Sequence, residues 1–196
     1  LYPDNSLTPL GYHLAQLPVD VRIGKLMLYG CMFRCLDAAL TIAACLSFKS
    51  PFLSPFKERE AANEARKRFA AGNSDQLTAW RAYKAWAEAA TRGQQAGWVF
   101  SQENYLGQKS LQTISQMKHQ FAELLASIGF VPHQVTSRVL DRAARGRGGA
   151  DAVASVTGPE INTNNDNNRV VSSVLCAALY PNIIKVYTPE AKYKQT

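Results

Sequence analysis

The amino-acid sequence predicts a mainly α-helical bundle with a short β element near its end, and three observations carry that prediction. Helix starts recur in which a capping side chain precedes proline, as in Thr8-Pro9 and Ser54-Pro55. Apolar residues fall three and four apart, most regularly at Leu111, Ile114, Met117, Phe121, Leu124, Leu125 and Ile128. Against these stands one short β-branched run, Ile183-Ile184-Lys185-Val186-Tyr187.

In chain order, Thr8 caps a first helix whose Leu10, Leu14 and Leu17 share a face, and Pro18 stops it. Asp20 caps a second over 21–33, with Ile23, Leu26, Met27 and Gly30 inward. Asp37 is expected to cap a third over 38–48, whose dense small and apolar residues predict nearly complete burial. Pro51 and Pro55 forbid helix between them, so 49–55 is a loop. A charged helix then runs from the Ser54-Pro55 start to about 71 and ends at Gly72-Asn73. The next, capped by Asn73, Ser74 or Asp75, reaches 91 with Leu77, Trp80, Tyr83 and Ala87 as its stripe. Residues 98–106 form a short aromatic segment, and Ser110 caps the regular helix that Gly129 ends. A weaker helix reaches 142. The stretch after it, 143–168, has few large apolar residues to offset the entropy of ordering it, and reads as a mobile insert. A helix over 169–179 and the β-branched run close the chain.

With 196 residues and 46% hydrophobic content the chain can bury one sizeable core or two small ones. It starts at Leu1 with no secretory leader pattern, and the unpartnered strand at its end reads as a cut into a further domain, so the sequence is taken as a segment of a longer protein. The longest apolar run, 38–48, is short of the roughly 18 residues a membrane span needs. Cys31, Cys35, Cys45 and Cys176 lie in apolar stretches without a CxxC pair, which predicts that most are core thiols, with no metal site and an intracellular setting, cytoplasmic ahead of nuclear. There is no GxxxxGK[ST] phosphate loop, no DEAH-like acidic motif, no GxSxG and no HExxH. His13, His119 and His133 stand apart from any sequence-visible nucleophile or carboxylate arrangement and read as surface or packing residues. The chain by itself is therefore expected to have no catalytic residue and no cofactor.

The net charge of +7 favours a polyanionic partner without naming one. Three basic groups stand out: Lys57, Arg59, Arg66, Lys67 and Arg68; Arg81, Lys84 and Arg92; and Arg138, Arg142, Arg145 and Arg147. Glu58, Glu60 and Glu64 stand at pairing distance within the first, so a solvated helix face is the simpler reading there. The run 145–149, Arg-Gly-Arg-Gly-Gly, either follows a phosphate backbone or is a plain linker. Ser54 either caps its helix or offers its hydroxyl to a phosphate, capping being the simpler reading.

Residues 7–20, Leu-Thr-Pro-Leu-Gly-Tyr-His-Leu-Ala-Gln-Leu-Pro-Val-Asp, closely resemble the LTPLGxxLAxLPVD signature of the helicase-associated region in DEAH/RHA-type ATP-dependent RNA helicases. The match continues through Gly24-Lys25-Leu26-Met27-Leu28, Cys35-Leu36-Asp37, Leu40-Thr41-Ile42-Ala43-Ala44, Lys49-Ser50-Pro51-Phe52, Ala61-Ala62 and Asn73-Ser74-Asp75, and Leu179-Tyr180-Pro181-Asn182 resembles the approach to an OB-fold. The resemblance implies an order of modules: the tail of a winged-helix domain over 1–20, a ratchet-like helical domain over 21–131, a linker and insert over 132–168, and a last helix and first strand leading into an OB-fold over 169–196. It implies ATP and Mg bound by RecA-like domains upstream, and an accessory part that contacts the RNA backbone. The turn from Ser54 to Arg59 is then the first candidate for touching RNA, with Arg66, Lys67, Arg145 and Arg147 behind it. The alternative is a protein-interaction scaffold for helicase activators, suggested by the aromatic helix and the OB-fold approach. The 143–168 insert departs from the compact family pattern.

Overall fold

A computed structural model describes residues 2–145 and 152–182, and among these the chain is a helical bundle. The elements are α1 (Pro9–Ala15), α2 (Val21–Met32), α3 (Leu36–Ser47), a 3-10 turn (Phe56–Glu58), α4 (Arg59–Lys67), α5 (Asp75–Ala90), α6 (Gln94–Glu103), α7 (Gln108–Ser127), α8 (Ser137–Arg145), α9 (Val153–Thr157), a second 3-10 turn (Glu160–Asn162) and α10 (Asn168–Leu179). The expected β run, 183–187, and Arg147 lie outside the described residues.

Helix α3 is the axis of the bundle. Its Leu36, Ala38, Ala39, Leu40, Ile42, Ala43 and Ala44 are all buried, and it packs against α2, α5, α7 and α10. Small residues make this possible, since four neighbours can close on one helix only where side chains do not hold them off. The tightest approach is between α2 and α3, where a Cβ built on Gly30 would stand 2.4 Å from the Cβ of Ala39. The stripe on α7 closes the opposite side through Leu111, Ile114, Phe121 and Leu125, while Met117, Leu124 and Ile128 are partly buried at its edge.

Local capping places three of the helix starts where the sequence puts them. Thr8 Oγ1 accepts from the Gly11 N–H (3.0 Å), Asp20 Oδ1 from the Arg22 N–H (2.9 Å) and Ser74 Oγ from the Leu77 N–H (3.3 Å). Elsewhere the expectation is corrected. Asp37 does not cap α3, which begins one residue before it, and its carboxylate turns instead to Lys118 of α7. Ser54 does not cap a helix either: it is exposed, and the chain first makes the Phe56–Glu58 turn before α4 starts at Arg59. Ser110 lies inside α7, whose start after Gly107 is fixed by a bond from the Gly107 N–H to the Pro51 carbonyl (2.8 Å). The aromatic residues 98–103 are helical, as part of α6.

Of the stretch 143–168 expected as a mobile insert, residues 146–151 lie outside the described residues, and the structure departs from the expectation over 152–168. Residues 152–168 are packed, with Ala152 and Val153 buried and α9 resting on α3, α7 and α8. Apolar contacts of Val153, Val156 and Ile161 with the core are joined here by hydrogen bonding to a helix end. Asn162 Oδ1 accepts from the Asp37 N–H (3.0 Å) and Asn165 Oδ1 from the Ala38 N–H (3.3 Å), which fills the donors that α3 leaves open because Cys35 supplies no cap. Asn164 Nδ2 donates to the Phe33 carbonyl (2.9 Å) and its N–H to the Arg34 carbonyl (2.8 Å), clamping the α2–α3 turn. Lys84 of α5 pairs with Asp166 beside them.

Asn162 is the hinge of this arrangement, since its Nδ2 also donates to Thr157 Oγ1 (2.8 Å) and the Gly158 carbonyl (2.7 Å). Asn162→Ala is expected to cost about 1–2 kcal/mol, the range of a lost N-cap. Urea unfolding checks this, and a change within a few tenths of the parent stability counts against the capping role.

Candidate functional site

The site is built where the loop after α3 meets the loop before α7. Phe52 and Leu106 form an isolated antiparallel bridge, and the Leu53 N–H donates to the Tyr105 carbonyl (2.7 Å). The Tyr105 hydroxyl donates to Glu58 Oε2 (2.6 Å), which raises the Tyr105 pKa because the neighbouring carboxylate disfavours a phenolate. Tyr105 adopts a φ of +51°, a left-handed conformation that costs a non-glycine residue about 1–2 kcal/mol. Both ends of the 53–58 turn are thus tied to this one strained residue, and Pro55 stiffens its middle.

The turn directs its side chains outward. Ser54, Phe56, Lys57 and Arg59 are all exposed, Phe56 at 90%. Lys57 and Arg59 form no ion pair among the described residues and face water, with the exposed Glu58 and Glu60 alternating with them along the chain. Of the sequence candidates, Ser54, Lys57 and Arg59 are therefore brought together on one pinned turn.

The others are placed differently. Arg66 bonds Asp75 Oδ1 (2.8 Å) and lies over the Phe52 ring, 5.1 Å from its centroid. Lys67 bonds Glu64 Oε1 (2.5 Å) one turn back. Both line a hollow that also holds Glu60, Glu64 and Asp75, so much of their charge is met within the chain. Arg145 ends α8 and lines a separate hollow with Trp86, Gln108, Gln112, His119 and Asp141. There His119, buried on α7, places Nδ1 2.7 Å from Asp141 Oδ1 of α8. A carboxylate only accepts, so Nδ1 carries the proton and the pair ties the two helices together.

Sequence reasoning missed Phe56, Tyr105 and the His119–Asp141 pair. Phe56 has a visible signal, an aromatic residue between a proline and a lysine in the first turn of the expected charged helix. The pair has none, because 22 residues separate its members. Among the described residues no group of three or more His, Cys, Asp or Glu is placed to hold a metal ion, and no helix is long and apolar enough to cross a membrane. Burial pushes the Cys31 thiol up to about 12 and Cys35 up to about 11, which keeps both protonated and unreactive at neutral pH.

Comparison with known proteins gives one family and several relatives. Residues 20–79 match the family described as helicase associated domain (HA2), ratchet-like. The whole chain of 196 residues is 50% identical to a segment of mouse DHX57, which bears the name of an ATP-dependent RNA helicase, and covers 14% of that protein. Over 182 residues, 92% of the chain, it is 41% identical to a Bos taurus ATP-dependent DNA/RNA helicase, DHX36, of which it covers 16%. Over 181 residues it is 35% identical to the Xenopus laevis ATP-dependent RNA helicase dhx29, of which it covers 12%. The chain thus spans between 12% and 16% of the length of these relatives.

Proposed function

Because the chain belongs to the helicase-associated region of DEAH-box RNA helicases, we propose that it is the part of such an enzyme that guides RNA along its backbone while ATP-driven domains elsewhere do the unwinding. The observation that carries this reading is the pinned, outward-facing turn at 53–58 continuing to Arg59, where Lys57 and Arg59 stand without carboxylate partners among the described residues. Cations held on a rigid backbone bind phosphates without reading bases, as translocation along any sequence requires. On this reading ATP and Mg are bound by RecA-like domains of the same protein, the winged-helix and OB-fold domains are its neighbours in the channel, and the setting is intracellular.

The scaffold alternative, in which helicase activators dock here, loses one of its two supports. The aromatic stripe of α5, Trp80, Tyr83 and Trp86, is buried in the core and offers no surface to a partner.

Replacing Lys57 and Arg59 together with alanine tests the proposal. Each lost phosphate contact lowers the salt slope of single-strand binding by about 0.7, so the pair lowers it by about 1.4, with a several-fold to tenfold loss of affinity near 0.1 M salt. Fluorescence anisotropy of the 196-residue chain with a labelled single-stranded RNA at several salt concentrations gives both quantities. An unchanged slope and affinity removes the turn from the RNA path.

A further inference from the structure

Phe56 is the most exposed large hydrophobic side chain among the described residues. The turn that carries it is held at both ends, by the Leu53 N–H on the Tyr105 carbonyl (2.7 Å) and by Glu58 on the Tyr105 hydroxyl (2.6 Å), with Pro55 immediately before it. At 90% exposure the ring has essentially no protein neighbour, so both of its faces are open to a ligand. Its neighbours along the turn and the start of α4 are Ser54, Pro55, Lys57 and Arg59, all exposed.

We propose that Phe56 is a stacking platform for one base of a single-stranded RNA whose adjoining phosphates are met by Lys57 and Arg59. An exposed aromatic ring beside cations matches the way single strands are held, with charge following the backbone and a flat ring taking a base of any identity. The pinned turn presents the ring already ordered, so little conformational freedom is lost when the base arrives. A greasy protein partner is a poorer fit. Covering Phe56 with an apolar surface would also strip water from Lys57 and Arg59 with nothing to replace it, whereas an RNA strand supplies phosphates at the same place. The inference rests on the RNA-guiding reading and adds a base contact to what is there a purely electrostatic one.

The test uses the 196-residue chain with two labelled dodecamers, one a mixed-sequence RNA and the other an abasic strand with the same phosphates. Phe56→Ala is expected to weaken binding of the RNA roughly tenfold, to leave binding of the abasic strand unchanged, and to leave the salt slope unchanged for both. Phe56→Trp is expected to restore the RNA affinity, and the introduced indole to lose fluorescence when RNA is added. Because Phe56 is exposed, circular dichroism and urea unfolding of both variants are expected to match the parent, which separates a lost contact from a lost fold. The stacking role is overturned if Phe56→Ala affects both strands equally or neither. In that event a loss of binding in the Lys57→Ala/Arg59→Ala variant still upholds the electrostatic reading. If the parent chain binds neither strand, both readings fall together.

Discussion

Replacing Asp37 with alanine is expected to destabilise the fold by about 3–5 kcal/mol, the cost of removing one partner from a buried ion pair. The other partner is Lys118, whose side chain is 0% exposed and whose Nζ stands 2.8 Å from Asp37 Oδ1. Its ammonium also lies 5.2 Å from the centroid of the Tyr83 ring. The Cys45 thiol senses both the burial and the charge of this region: burial outweighs the opposing pull of Lys118 and holds its pKa up at about 12. The two ends of the pair are not equivalent. Asp37 keeps 22% of its side-chain surface in water and sits in the first turn of α3, where the helix dipole also favours a carboxylate. Lys118→Met therefore leaves behind a charge that water still reaches, and is expected to cost less than Asp37→Ala. The double variant Asp37→Asn/Lys118→Met removes both charges of this pair and is expected to be more stable than Asp37→Ala alone, a coupling that additive single effects would not give. Urea unfolding with comparison of slopes measures all three. A loss of under about 1 kcal/mol for Asp37→Ala would show that Lys118 is not held by this pair.

Gly30→Ala is expected to be the second large loss, about 2–3 kcal/mol or more, although on an isolated helix the same change would be favourable by about 1 kcal/mol. The sign reverses because the new methyl would meet the Ala39 methyl at 2.4 Å, far inside contact distance, with the Leu36 Cα at 3.6 Å behind it. Neither is the end of a flexible side chain, so relief requires α2 and α3 to move apart, and α3 also packs against α5, α7 and α10. Gly24 is a useful contrast. A Cβ there would first meet Leu14 Cδ2 at 2.9 Å, the tip of a side chain that can turn away, so Gly24→Ala is expected to cost less. Ala39→Gly should relieve the clash directly, and the Gly30→Ala/Ala39→Gly double variant is expected to be more stable than Gly30→Ala alone even though a glycine inside α3 carries its own penalty of about 1 kcal/mol. Thermal unfolding of the four proteins closes the cycle. Simple additivity there would mean that the two methyl positions do not meet.

The parts of this molecule that are legible in the sequence share a physical basis: the interacting groups lie within about four residues of one another. Thr8, Asp20 and Ser74 cap helices because the amides they bond are two or three residues ahead, and the α7 stripe is visible because a helix repeats its face every 3.6 residues. The same locality misleads the reading of Ser54 and Ser110. Each has the composition of a cap, but the backbone bonds Leu53–Tyr105 and Gly107–Pro51 join two loops and decide where the helices begin. Composition misleads the reading of 152–168 for a related reason. A polar run with few apolar residues lacks a core of its own, yet its asparagines find donors at the start of α3, 125 residues away.

By itself, then, the sequence determined the helical class, most of the helix positions, the relation to the helicase-associated family through residues 7–20 and the matching blocks up to Asp75, and the choice of the Ser54–Arg59 turn as the candidate contact for RNA. Only the tertiary structure decided which cations on that surface are free and which are met by carboxylates, that Lys118 is a core residue paired with Asp37, that His119 joins Asp141, and that Phe56 stands open on a pinned turn. These depend on which helix faces meet. A linear pattern records how each face is composed, whereas the packing of α3 against four neighbours determines what each face touches.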